Sequence, residues 1–136
     1  MIASLPHPGK KRILFVDDEQ AVLKSIEHVL RRDRERWEMV FAVGGQRALE
    51  ELRASCFDAV VTDMRMPDID GAALLTAVME ECPATARILL TGYSDGDELA
   101  RVQPAVDELL CKPCGAKALR EAISRNLDAR APERSG

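Results

Sequence analysis

Aromatic residues are scarce: three phenylalanines, one tryptophan and one tyrosine make up 4% of the 136 residues. A core built from this chain is therefore mostly aliphatic. No apolar run reaches the roughly eighteen residues that a membrane-spanning helix needs, so no membrane partner is expected. Met1 to Gly9 holds two prolines and no apolar segment of secretory type, so residues 1–11 are expected to be a flexible leader rather than a signal peptide. Four cysteines, at 56, 82, 111 and 114, fall short of the density of a secreted disulfide scaffold. A reduced, cytoplasmic setting is the expectation. Charge of one sign is also lacking, because the net charge of −4 is too mild for an acidic tail or a direct nucleic-acid binder. Basic residues gather at Lys10-Lys11-Arg12 and at Arg31-Arg32-Arg34-Arg36, where a solvated face is the expected reading.

What the chain does have is alternation. Ile13-Leu14-Phe15-Val16 is a continuous apolar run of the kind that forms a strand buried on both faces. Val22, Leu23, Ile26, Val29 and Leu30 then recur at helical spacing. Further apolar runs at Met39 to Val43, Ala59-Val60-Val61, Ile88-Leu89-Leu90 and Leu109-Leu110-Cys111 are each followed by a helical pattern. The helix before the last run, around Asp97 to Gln103, meets Pro104 and is expected to be short or irregular. Five strand-then-helix units predict an α/β fold, a three-layer α/β/α sandwich with a five-stranded parallel sheet and five helices. The predicted strand order is 2-1-3-4-5, flavodoxin-like. The expected domain covers residues 12–128, with 129–136 as a polar tail or linker.

Ligands of open α/β sheets bind at the carboxyl ends of the strands. Asp17, Asp18 and Glu19 follow the first run, Asp63 the third, Thr91 the fourth and Lys112 the fifth. Three aspartates, a hydroxyl and an ammonium would thus meet at one rim. Carboxylates at about 4 Å repel by about 4 kcal/mol per pair at an effective dielectric near 20. Lys112 alone does not offset that. Hard oxygen donors without His or Cys select Mg²⁺ or Mn²⁺, and such a site suits transfer of a phosphoryl group to a carboxylate.

Four segments at those strand ends carry a family resemblance. They are Ile13-Leu14-Phe15-Val16-Asp17-Asp18-Glu19, Val60-Val61-Thr62-Asp63-Met64-Arg65-Met66-Pro67-Asp68-Ile69-Asp70-Gly71, Ile88-Leu89-Leu90-Thr91-Gly92-Tyr93-Ser94-Asp95 and Leu110-Cys111-Lys112-Pro113. From about Arg12 to Leu127 the chain resembles bacterial response-regulator receiver domains of two-component systems. The resemblance implies a phosphorylation-dependent switch that acts only on its own phosphorylation state and is not otherwise an enzyme. It implies Asp63 as phosphoacceptor, with a sensor histidine kinase or phosphotransfer protein as donor. Asp17, Asp18, Asp63 and the backbone carbonyl of Arg65 would hold Mg²⁺ (or Mn²⁺), while Thr91 and Lys112 would bind phosphoryl oxygens. A cis bond before Pro113 is also implied, and homodimerisation on phosphorylation is left open. The output and the cognate kinase are not legible.

Each motif also has a plainer reading. Asp17 or Asp18 could cap the following helix, and Gly71 reads as structural, allowing tight approach at a helix start. Cys111-Lys112-Pro113-Cys114 has the spacing of a redox pair. It stands at the last strand–helix junction, though, and Cys111 is expected to point into the core. Asp68-Ile69-Asp70-Gly71 is similar to the opening motif of aspartyl-phosphate hydrolases, but it lies too far beyond the strand.

Where many receivers carry Tyr or Phe three residues before the lysine, this chain has Leu109. Transmission is therefore expected mainly through Thr91 and the following loop, or through a different face. Arg65 and Tyr93 stand two residues beyond Asp63 and Thr91, where large side chains would flank a phosphoryl group and hinder water. Phosphorylated wild-type chain is expected to lose its phosphoryl group more slowly than an Arg65→Ala, Tyr93→Ala double variant. Phosphate release over time checks this, and equal or faster loss from the wild type counts against it.

Overall fold

The structure, a computed structural model, describes residues 9–92 and 103–130. Five strands, β1 (Lys11–Asp17), β2 (Trp37–Val43), β3 (Ala59–Asp63), β4 (Ala86–Thr91) and β5 (Glu108–Cys111), form one parallel sheet of order β2-β1-β3-β4-β5. Four α-helices are present among the described residues: α1 (Gln20–Val29), α2 (Gly45–Ala54), α3 (Gly71–Glu81) and α4 (Ala116–Arg130). Short 3₁₀ turns cover Arg31–Glu35 and Gln103–Ala105. The fifth expected helix, over residues 97–103, falls almost wholly outside the described residues. β1 already includes Lys11 and α4 continues to Arg130, slightly beyond the expected limits of 12 and 128.

The continuous apolar runs are explained by two separate cores. Leu14, Val16, Val60 and Leu89 point to one face and pack with Leu49, Leu52, Leu74, Leu75 and Val78 of α2 and α3. Ile13, Phe15, Val61, Ile88 and Leu90 point to the other and meet Leu23 of α1 and Leu119, Ile123 and Leu127 of α4. Alternate side chains of one strand thus enter different cores, which is why Ile13 to Val16 of β1 and Ala59 to Val61 of β3 run apolar without interruption. No helix among the described residues is long and apolar enough to cross a membrane.

Several expectations need correction. Of the apolar residues at helical spacing in α1, only Leu23 is fully covered, and Val29 is 44% exposed. Val22, Ile26 and Val29 instead line a groove of about 690 Å³ shared with Leu119 of α4 and Lys112. Cys111 is exposed rather than inward-facing, because β5 is an edge strand and Cys111 is its last residue, paired only with Thr91 of β4. Nor are the basic clusters purely solvated. Arg12 donates to Ser55 Oγ at 3.1 Å and stacks 4.2 Å above Phe57, while buried Asp33 accepts from both Arg36 and Arg120.

The cysteines do not all stay reduced. Cys56, after α2, is disulfide-bonded to Cys82, after α3, across 26 residues, while Cys111 and Cys114 are free. The bridge ties two loops at the end of the sheet opposite the strand tips. Closing a loop of that size in the unfolded chain is worth about 3–4 kcal/mol in the chain-entropy account. Reduction, or a Cys56→Ser, Cys82→Ser variant, is expected to lower the urea unfolding free energy by ~2–4 kcal/mol. Coincident unfolding curves for oxidised and reduced protein would contradict that.

Candidate functional site

Because the sheet is parallel, the last residues of β1, β3, β4 and β5 lie on one rim. Asp17 ends β1, Asp63 ends β3 and Thr91 ends β4, while Lys112 follows the last residue of β5. Asp18 is the first residue of the β1–α1 loop. β1 lies between β2 and β3, so the carboxylates stand where the strand order reverses, the place where such sheets form a crevice.

The structure brings Asp17, Asp18 and Asp63 together, with one carboxylate oxygen from each lying within 4.8 Å of the others. Asp17 and Asp63 are buried, and Asp18 is exposed. Lys112 Nζ pairs with Asp63 Oδ1. The lysine is held in place through its backbone, since Lys112 N–H donates to Thr91 O at 2.8 Å, and the Lys112–Pro113 bond is cis, as the resemblance implies. Thr91 is buried at the tip of β4.

Asp17 accepts from Glu19 N–H at 2.9 Å. Helix α1 has Glu19 as its N-cap, and the Glu19 side chain makes no cap bond, so the Asp17 carboxylate on the Glu19 amide is a side-chain contact at this helix start. Burial pushes the Asp17 carboxyl up to about 6, opposed by the Glu19 hydrogen bond and helped by the nearby charge of Asp63.

The loop after β3 runs through Arg65, whose side chain is exposed. Met64 N–H donates to Leu90 O at 3.2 Å, and Gly71 N–H closes the loop on Met64 O at 2.7 Å. A Cβ at Gly71 would sit 2.6 Å from Asp63 O and 2.9 Å from Met64 Cα. Glycine is therefore required for α3 to start directly against the phosphoacceptor candidate's backbone. A depression of about 490 Å³ opens here, lined by Asp18, Met64, Arg65, Met66, Pro67 and Asp70.

The two aspartates of the hydrolase-like motif have structural partners. Asp70 caps α3 by accepting from Ala73 N–H at 2.9 Å. Asp68 accepts from Gly45, Gln46 and Ile69 N–H at 3.2, 2.9 and 2.7 Å, and those bonds hold its carboxyl below the usual range, that from Gln46 most of all. Sequence reasoning missed Asp68, because its partners lie in a different strand–helix unit. Leu109 is half-buried against the α2–α3 core, opposite Leu89. Tyr93 lies outside the described residues.

Three carboxylates and the Lys112 ammonium give this cluster a net charge of −2. At 4.8 Å and an effective dielectric near 20, each carboxylate pair costs about 3.5 kcal/mol. An all-oxygen donor set of this charge and spacing fits a hard divalent cation such as Mg²⁺.

Fold and rim together define a receiver-type doubly wound α/β domain, and the comparisons with known proteins agree. A family model described as the response regulator receiver domain matches residues 13–124, and the chain belongs to that family. It is therefore a receiver domain of the two-component response regulators. It is 34% identical over 121 residues to the transcriptional regulatory protein GlrR of Escherichia coli, covering 88% of this chain and 27% of that protein. It is also 34% identical over 115 residues to the transcriptional regulatory protein PrrA of Mycobacterium bovis, covering 84% of this chain and 47% of that one. The chain thus spans half or less of either relative's length. A receiver domain from Clostridium thermocellum superposes with a TM-score of 0.81 at 31% identity, over 88% of this chain and 96% of its own. A CheY-like receiver from Methanospirillum hungatei gives 0.82 at 29%, over 93% and 99%.

The raised Asp17 pKa has a stability consequence with a definite sign. A folded value near 6 against 3.8 means that the folded state holds the proton more tightly, so stability falls as pH rises from about 4 to 6. In EDTA, Asp17→Asn is expected to be ~1–2 kcal/mol more stable than wild type at pH 7–8, a figure discounted for the pocket's access to water. The gap should close near pH 4. Urea melts across that range check it, and a gap that ignores pH would contradict it.

Proposed function

We propose that this domain is a phosphorylation-dependent switch in which Asp63 accepts a phosphoryl group from a histidine kinase or phosphotransfer protein, assisted by Mg²⁺ (or Mn²⁺). The observation that carries this reading is the convergence of Asp17, Asp18 and Asp63 with Lys112 paired to the middle strand's aspartate. The match to the receiver family supports it.

In the proposed reaction an Asp63 carboxylate oxygen attacks phosphorus, the donor's P–N bond breaks, and an acyl phosphate forms. Asp17, Asp18, Asp63 and the Arg65 carbonyl would hold the cation, which supplies charge neutralisation to the transferring group. Lys112 stays beside Asp63 and meets the phosphoryl oxygens as a fixed positive charge. The Thr91 hydroxyl turns to an incoming phosphoryl oxygen and couples the tip of β4 to the phosphorylation state. Arg65, two residues beyond Asp63, would flank the group and slow its hydrolysis, and Leu109 takes the place of an aromatic relay; the expected role of Tyr93 lies outside the described residues. The domain is not otherwise an enzyme and passes its phosphorylation state to an output partner.

Incubation with acetyl phosphate and Mg²⁺ followed by intact mass spectrometry tests the reading. A single added phosphoryl group is expected on wild type, none on Asp63→Asn, and strongly reduced addition when EDTA replaces Mg²⁺ or when Lys112→Ala is used. Equal labelling of Asp63→Asn would overturn the assignment.

A further inference from the structure

The β3–α3 loop is anchored at its two ends, by Met64 on Leu90 and by Gly71 on Met64. Its outward-facing part is held by something else. The Asp68 carboxylate reaches across to a neighbouring strand–helix unit and accepts from the Gly45 and Gln46 N–H groups, the first amides of α2. These amides are left without carbonyl partners inside their own helix and carry the positive end of its dipole. No α2 side chain caps them: the N-cap is Gly44, and Asp68 fills that role from a different loop.

The other side of this contact leads directly back to the carboxylate cluster. Gly44 N–H donates to the carbonyl of Asp17 at 2.9 Å. Gly44 sits at φ +94°, and a Cβ there would lie 3.0 Å from Asp68 Oδ2. At Gly45 a Cβ would lie 2.7 Å from Ile69 Cβ and 2.8 Å from Ile69 O. The two loops are therefore pressed together to a distance that only glycine permits. The path runs from Asp17, through Gly44 and the start of α2, through Asp68, to the loop that carries Arg65.

We infer that Asp68 is a positioning residue for the divalent-cation site. By bonding the β3–α3 loop to the N-terminus of α2, it sets the spacing between the Asp17–Asp18 segment and the Arg65 carbonyl. This rests on the proposed Mg²⁺-assisted phosphoacceptor function. It differs from a ligand role, since Asp68 is committed to three backbone amides and touches the cluster only through them. The hydrolase-like Asp68-Ile69-Asp70-Gly71 phrase thus acquires a use within the receiver itself, one aspartate joining two loops and the other capping α3.

Calorimetric titration of the metal-free protein with Mg²⁺ tests the inference without relying on phosphorylation. Asp68→Ala is expected to weaken Mg²⁺ binding about three- to tenfold, and Asp68→Asn, which keeps one acceptor oxygen, by less. Gly45→Ala keeps the carboxylate but pushes the loops apart, so it should weaken binding in the same direction. Thr85→Ala is the control: it removes a buried hydroxyl bonded to Phe57 O at the opposite end of the sheet. It is expected to lower stability in urea while leaving Mg²⁺ affinity unchanged. Wild-type affinity in Asp68→Ala, or an equal loss in Thr85→Ala, overturns the positioning role alone. Failure of the wild type to bind Mg²⁺ at all overturns the phosphoacceptor reading as well.

Discussion

Everything at the functional end of this domain depends on holding three carboxylates closer together than they would choose. A parallel sheet does this cheaply. Its strands all finish on the same rim, and the tips of β1 and β3 are adjacent in the order β2-β1-β3-β4-β5. The apolar residues before each tip are buried in the two cores, so the strands cannot slide apart to relieve the repulsion. Stability invested in Ile13 to Val16 and Ala59 to Val61 is what keeps Asp17 and Asp63 in place.

The repulsion is relieved in graded ways. Lys112 meets Asp63 directly, and the Glu19 amide meets Asp17. Asp18 remains open to water. The cluster of three carboxylates and one ammonium carries a net charge of −2, which a doubly charged cation would balance. Beyond the pocket, loops are fixed by backbone bonds: Lys112 to Thr91, Met64 to Leu90 and Gly44 to Asp17. Such short-range ties connect the surroundings of Asp63 to β4 and the β3–α3 loop through few intermediates.

Much of this was readable from the chain. Buried parallel strands announce themselves as uninterrupted apolar runs, and the residue ending each run was the informative one, so fold, strand order and the rim residues all followed. What stayed hidden depended on contacts between distant units. Asp68 looked like part of a local motif because nothing in the sequence shows that its loop lies against the Gly44-Gly45 start of α2. The pairing of Cys56 with Cys82 requires knowing that the ends of α2 and α3 are neighbours. Cys111 looked like core because an apolar run does not reveal that its strand is the sheet's edge. The α1 stripe was wider than the core that covers it, leaving Val22, Ile26 and Val29 along a groove instead. Arg36 read as part of a solvated face, whereas it pairs with the buried carboxylate of Asp33, as does Arg120 from α4.

The central claim, that the crowded carboxylates are a divalent-cation site, is tested most directly by the broadening of backbone amide NMR signals on titration with paramagnetic Mn²⁺. The account predicts loss of signal centred on residues 17–19 and 63–66, reversed by excess Mg²⁺. Broadening centred on the acidic residues Asp107 and Glu108 at the other end of the sheet, or none below millimolar Mn²⁺, would contradict it.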